Sequence, residues 1–273
     1  MKKIEIIERE KFNYQIREAF KTLRTNLLFS GSDTKTIVLT SCLNNEGKST
    51  VTLELSKSLA AAGKKVLLID ADLRKSVLVT RYTETKDTVY GLSEYLSSQA
   101  TIDDVLYETN TDGLHVIFAG AVPPNPVELL GSRKFEEFMR QIRDVYDYVL
   151  IDASPLGLVI DASVISAVCD GAVLIVAANE ISYKFALEVK DQLEKGHCRI
   201  LGAVLNRVPA TQGGGYGRYG KYGKYAKYGK YGTYGTYGSY GHEATLDESE
   251  DEESKDEAKK ENPLSNIVKK IKK

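Results

Sequence analysis

Tryptophan is absent from the 273 residues, and proline (6), cysteine (3) and methionine (2) are scarce. Cys42, Cys169 and Cys198 lie far apart without metal-ligand spacing. An odd, sparse set excludes a disulfide scaffold and suits a reducing, cytoplasmic compartment. No stretch reaches the ~18 apolar residues of a membrane-crossing helix. The opening MKKIEIIEREKFNY lacks the apolar core of a signal peptide. An excess of one charge is missing too. Lys plus Arg number 37 against 38 Asp plus Glu, a net of −1, so a wholesale nucleic-acid binder is not expected. A hydrophobic content of 42% is enough for one substantial α/β domain with a tail.

The near-neutral total hides a segregation. Residues 1–212 carry a net −3, residues 213–242 +5, residues 243–262 −7 and residues 263–273 +4. The chain therefore reads as a body over 1–212, a basic segment over 213–242, and an acidic spacer with a short basic end over 243–273. Within the body, β-branched apolar runs predict strands at 36–41, 66–70, 115–119, 147–152, 172–178 and 200–205. They lack period-2 alternation, as strands buried on both faces do. Helices are predicted at 13–30, 48–62, 127–143, 161–169 and 182–195. The alternation implies an α/β fold, a mostly parallel sheet with helices on both faces and ligands at the carboxyl ends of its strands. The region 72–113 is less regular and is left unordered.

The run TIVLTSCLNNEGKST, residues 36–50, leads an apolar strand through a turn-rich loop into Gly47-Lys48-Ser49-Thr50 and a helix. Loop amides and a helix N-terminus favour a phosphate. Lys48 is placed to reach the β- and γ-phosphates, and the Ser49 hydroxyl to bind Mg²⁺. The glycine that a full P-loop carries five positions before Gly47 is replaced by Cys42, read here as a small residue filling that place. Two strand ends add carboxylates: VLLIDADLR (66–74) gives Asp70 and Asp72, followed by Arg74, and DYVLIDASP (147–155) gives Asp152. Together with the GKST loop they fit a Mg-nucleotide site.

GKST, VLLIDADLR and VLIDASP resemble the Walker A, Walker A′ and Walker B motifs of the bacterial tyrosine kinases, and PPNPVELLGS (123–132) resembles a stretch those kinases carry. The relatives of that family are the partition and septum-site ATPases. Their signature lysine, five residues before the P-loop lysine, is here Leu43, which favours the kinase branch. The resemblance covers about residues 10–208 and implies a P-loop NTPase-like fold. Asn44-Asn45 departs from it where Pro-Gly is common, and Asn45 tolerates the left-handed backbone the turn needs. The resemblance implies that Asn45, Glu46, Gly47, Lys48, Ser49 and Thr50 bind the ATP phosphates. Ser49 and Asp152, with Asp70, are expected at Mg²⁺. Asp70 is also the expected activator of the attacking tyrosine hydroxyl, and Asp72 is expected to assist. Asn206 is expected either at the adenine or as a turn former before Pro209.

Residues 213–241 place nine tyrosines at every third position: Tyr216, Tyr219, Tyr222, Tyr225, Tyr228, Tyr231, Tyr234, Tyr237 and Tyr240. Such Gly-rich sequence has no aliphatic residue to build a core and is expected to be disordered. It could be a kinase substrate, a single-strand binder or a self-associating stretch. The resemblance implies the first, with autophosphorylation in trans. Glu18, Lys21 and Arg24 resemble the ExxRxxR stretch by which these kinases form rings, with lysine in place of the first arginine. An ordinary solvated face is the other reading. Ile16, Phe20, Leu23 and Leu27 share a helical face expected to pack on the body. In residues 263–273, Leu264, Ile267, Val268 and Ile271 form an apolar stripe flanked by lysines, suited to peripheral membrane contact. The resemblance further implies a separate transmembrane activator with a cytoplasmic tail, recruitment to the inner face of the cell membrane, a cognate phosphotyrosine phosphatase, and protein substrates in capsular or extracellular polysaccharide synthesis and export. The competing reading is a partition- or septum-type positioning ATPase.

Overall fold

The computed structural model describes residues 1–9, 11–196 and 198–209. The tyrosine repeat, the acidic run and the basic end lie outside the described residues. Among the described residues there are eight strands: β1 (Lys2–Ile4), β2 (Thr36–Ser41), β3 (Val66–Ala71), β4 (Leu106–Thr109), β5 (Leu114–Ile117), β6 (Tyr148–Ala153), β7 (Gly171–Ala177) and β8 (Ile200–Asn206). They form one sheet in the order β1-β4-β5-β3-β6-β2-β7-β8. Every neighbouring pair is parallel except β4 with β5.

β2, β3 and β6 are buried at all six positions. Their residues alternate between two cores, one on each face. Val38, Leu67 and Ile69 pack with Phe135, Phe138, Ile165 and Leu193. Ile37, Leu39 and Leu68 pack with Leu53, Leu55 and Leu59. Each such aliphatic side chain contributes roughly 1.5–3 kcal/mol on burial, which explains why the strands read as continuous apolar runs.

The longer helices are α1 (Tyr14–Leu28), α2 (Lys48–Ala60), α7 (Arg133–Arg143) and α9 (Tyr183–Lys195). Asn13, Ser132 and Ser182 cap three of them, their side chains accepting from the amides of Ile16, Phe135 and Phe185. The single helix expected over 127–143 is two, α6 (Pro126–Leu130) and α7. Gly131 ends the first, and Ser132 starts the second as its N-cap. The region 72–113 supplies α3 (Leu78–Tyr82), α4 (Leu92–Leu96), α5 (Ile102–Val105) and β4. On α1, Leu27 is buried and Phe20 and Leu23 pack on the core, but Ile16 is 40% exposed, contrary to the expected packing of all four. Ile16 lies in the first turn of α1, where Tyr14, Gln15 and Arg17 are exposed as well. A short α8 (Asp161–Ser166) follows β6.

Candidate active site

β2, β3 and β6 are neighbours and end together, with β6 between the other two. Their register sets Asp70 opposite Asp152, and Asp152 opposite Leu39. The loop after β2 and both acidic strand ends therefore meet at one edge of the sheet, where the chain passes to opposite sides of β6.

The loop is curled by two left-handed residues, Asn45 at φ 64° and Gly47 at φ 88°. The asparagine does adopt the conformation the turn demands. Gly47 is the N-cap of α2 and has no side chain to bond that helix's first amides, so a phosphate can take them. Glu46 is buried and closes the loop from within. Its carboxylate accepts the Leu43 amide at 2.6 Å and the Ala177 amide at 3.0 Å. Asn206 Nδ2 donates to the Glu46 carbonyl at 2.8 Å. Glu46 and Asn206 thus brace the loop, with one Asn206 N–H used there and its second N–H and its oxygen left for another partner. Thr50 Oγ1 lies 2.7 Å from the Tyr82 hydroxyl.

Lys48 is buried and points back into the sheet edge. Its ammonium donates to Asp152 at 2.7 Å, and Asp72 lies 3.7 Å away. Burial opposes its charge, but Asp152 and Asp72 outweigh that, and its pKa rises above the ordinary lysine value. Burial also raises Asp152, against the pull of Lys48 and the Ser49 hydroxyl. Asp70 is fully buried. Burial first, then the nearby Asp152, push it up to about 8. Both Asp70 oxygens are engaged, one by the Ser76 hydroxyl and one by the Asp72 amide at 3.2 Å. Asp72 accepts from Ser154 Oγ at 2.8 Å and the Lys75 amide at 3.1 Å. Arg74 does not pair with Asp72. It forms a two-pronged bond to the buried Asp161 at 2.7 and 3.0 Å.

Thus Lys48, Ser49, Asp70, Asp72 and Asp152 come together, while Glu18, Lys21 and Arg24 lie on α1. Lys21 bonds Glu18 at 2.7 Å, and Arg24 donates to the Ser58 carbonyl of α2 at 2.9 Å. Ser76, Ser154 and Asp161 were not singled out from the sequence. Only Ser154, two residues beyond Asp152, carried a positional signal. Among the described residues no three His, Cys, Asp or Glu side chains converge as a ready-made metal cage. Asp72 and Asp152 beside one ammonium still leave the site anionic. That suits a divalent ion shared with substrate phosphates, as magnesium usually binds.

Residues 34–195 match a family model described as an AAA domain. The tyrosine-protein kinase CpsD of Streptococcus agalactiae is 43% identical over 206 residues, covering 74% of this chain and 90% of that relative. The kinase domain of Escherichia coli tyrosine kinase ETK aligns with a TM-score of 0.66 at 27% identity, over 78% of this chain and 94% of that one. The Pyrococcus furiosus cell division ATPase MinD aligns less completely, with a TM-score of 0.54 at 32% identity over 67% of this chain and 73% of its own. The fold is common to both branches, but sequence and coverage favour the kinases. Arriving at the same branch as the strand-end carboxylates and Leu43, these likenesses show that the chain belongs to the bacterial tyrosine-protein kinases.

Proposed function

We propose that this kinase uses Mg-ATP to phosphorylate, in trans, the tyrosines at 216–240 of another copy. The observation that carries the reading is Lys48, held between Asp152 and Asp72 directly beneath the curled loop. An incoming phosphate offers that ammonium a new anionic partner, so binding exchanges one buried ion pair for another rather than stranding a charge. The loop amides and the first turn of α2 hold the phosphates, through Asn45, Glu46, Gly47, Lys48, Ser49 and Thr50. Asn206 acts through its brace on Glu46. Ser49 and Asp152 would hold magnesium, which supplies charge neutralisation on the transferring group. Asp70, raised toward neutrality and steadied by Ser76, takes the proton from the tyrosine hydroxyl. Each Asp70 oxygen accepts one hydrogen bond and keeps a lone pair, for this proton or for a share of the magnesium. Asp72 orients Lys48.

The chain divides into a kinase body over 1–212, the tyrosine repeat over 213–242 and the acidic and basic end over 243–273. Each phosphate adds about −1.5 to −2 charges, so modification reverses the sign of the repeat and weakens its docking beside an anionic nucleotide. The unmodified repeat would hold a ring, helped by Glu18, Lys21 and Arg24, and the phosphorylated one would release it. Similarity to CpsD supports a place in capsular or extracellular polysaccharide synthesis, with a transmembrane activator supplying the cytoplasmic tail that recruits the chain to the inner membrane face. A phosphotyrosine phosphatase would reset it. No helix among the described residues is long and apolar enough to cross a membrane, which fits a separate activator. The basic end over 263–273 supports peripheral contact.

Mass spectrometry of the chain with Mg-ATP, with and without an activator tail, tests this. Stepwise phosphates on the nine tyrosines, lost in Lys48→Ala, are expected. ATP hydrolysis with no phosphotyrosine would overturn the reading. Equal mass distributions in solution before and after modification would overturn the ring switch.

A further inference from the structure

The groove beside the phosphate loop does not end at the nucleotide site. It is lined by Lys75 and Arg81 as well as by Lys48 and Ser49. Through Thr50, which lines both hollows, it adjoins a second cleft of about 370 Å³ whose walls include Arg9, Lys11, Arg17, Phe12 and Tyr82. Arg9 Nε donates to the Arg81 carbonyl at 3.0 Å, joining the two rims. The five cations Arg9, Lys11, Arg17, Lys75 and Arg81 are exposed. Among the described residues none of them forms an ion pair with a carboxylate. The cleft also carries two acids, the exposed Glu8 and the half-buried Glu54, and Glu54 is already paired with Lys57 at 3.0 Å, so Arg9, Lys11 and Arg17 still outweigh them.

This basic track poses a problem for the substrate. The unmodified tyrosine repeat carries five cations and no carboxylate over 213–242, so the track repels it. The next segment, 243–262, has ten carboxylates against three lysines. We infer that the cleft is a docking site for the acidic segment 243–262 of a second copy, which draws the repeat of that copy to the phosphate loop against its own charge. The inference rests on the kinase reading only for its consequence. Tyr240 is three residues before Glu243, about 10 Å of extended chain. An anchored acidic segment therefore presents the last tyrosines first, and phosphorylation runs from Tyr240 toward Tyr216.

Two measurements on the full-length chain test it. Fluorescence anisotropy follows a labelled peptide of residues 243–262 on protein whose own acidic segment is neutralised by Glu→Gln and Asp→Asn changes. The peptide is expected to bind in a salt-sensitive manner and to lose about tenfold in affinity with Arg9→Glu plus Arg17→Glu, a loss of the size several exposed charge pairs supply. In the second, wild-type enzyme phosphorylates a Lys48→Ala chain as substrate. Neutralising that substrate's acidic segment is expected to raise KM while sparing kcat, and to abolish the Tyr240-first order. A charge-reversed substrate segment (Glu250→Lys, Glu252→Lys, Glu253→Lys) is expected to restore low KM to the Arg9→Glu/Arg17→Glu enzyme. Absent binding, or binding indifferent to Arg9 and Arg17, overturns the docking site. So does binding by a phosphorylated repeat peptide but not by the acidic one, which would make the cleft a product site. Peptide binding without any phosphotyrosine would uphold the site and refute the kinase reading instead.

Discussion

Gly47→Ala probes the brace behind the phosphate loop. Two costs combine. Gly47 sits at φ 88°, and a Cβ in left-handed backbone costs about 1–2 kcal/mol. That Cβ would also lie far inside van der Waals contact of Asn206 Nδ2, with Asn206 Cγ at 3.5 Å. The amide must swing away, losing its 2.8 Å bond to the Glu46 carbonyl. A lost hydrogen bond of this kind costs roughly 0.5–1.5 kcal/mol, and more where the acceptor stays unsatisfied. The sum is about 2–4 kcal/mol, or roughly 5–15 °C in Tm for a domain of this size. Nucleotide affinity is expected to fall with it, because the strained turn carries the phosphate amides. A double-mutant cycle isolates the brace. Asn206→Ala alone is expected to cost about 1 kcal/mol. The double variant should be less destabilised than the sum of the two singles by about 1 kcal/mol or more, since removing the amide removes the collision. Strict additivity in urea unfolding, or a Gly47→Ala chain that binds a fluorescent ATP analogue as the wild type does, would refute the reasoning.

Arg74→Ala leaves the fully buried Asp161 without its fork and should cost about 1–3 kcal/mol, below the usual figure for a buried pair because the guanidinium is part-exposed; Arg74→Lys, which keeps charge but not the two-pronged geometry, should cost less, as chemical denaturation will show. His115, whose Nδ1 lies 2.7 Å from the Tyr146 hydroxyl, is pushed below its ordinary 6.5 by burial. Its folded pKa is thus below the unfolded one, and the stability it lends is full above about 6.5 and is lost as pH falls toward the folded value. The Tm advantage of wild type over His115→Gln should therefore shrink between pH 7 and pH 5, and a constant difference would contradict it. Burial, then Glu46, push the Cys42 thiol up to about 12, so iodoacetamide at pH 8 should spare Cys42 in the native chain and modify it after unfolding, which peptide mass spectrometry can follow. That outcome would exclude a redox-sensing role beside the phosphate loop.

The central strands were legible because burial on both faces forces a continuous apolar run, and no exposed residue interrupts TIVLTS or VLLIDA. β1 and β4 were not legible. β1 reads KKI at the sheet edge, where its side chains meet water, and β4 reads LYET, too short and too mixed for period or hydropathy to mark it. The turn between β4 and β5 was visible in principle: Asn110-Thr111-Asp112-Gly113 ends in a glycine at φ 77°. At the site, the glycine, lysine and strand-end carboxylates announced themselves by spacing. Their supports did not. Asp161 lies 87 positions from Arg74, and Asn206 lies 160 from Glu46, and nothing local tells a side chain which distant partner the sheet will bring to it.

The same burial that made the strands readable also shapes the chemistry. A carboxylate at the end of a strand buried on both faces cannot be fully hydrated, so Asp70 and Asp152 are both raised by desolvation before any neighbour is considered. Their adjacency in register then separates them. Asp152 has Lys48 at 2.7 Å to hold its charge, whereas Asp70 has hydrogen-bond donors and a neighbouring anion. One sheet edge thereby yields a carboxylate paired with a cation and another, raised to about 8, placed for a proton, the division of labour that transfer of a phosphoryl group to a phenol requires. Asp152→Asn should narrow that difference: with the anion beside it gone, Asp70 loses the larger of the two neighbouring charges that raise it, burial and Asp72 remaining. The pH at which phosphotyrosine formation in residual turnover reaches half its maximum should move down. An unmoved midpoint would place the proton acceptor elsewhere than on Asp70.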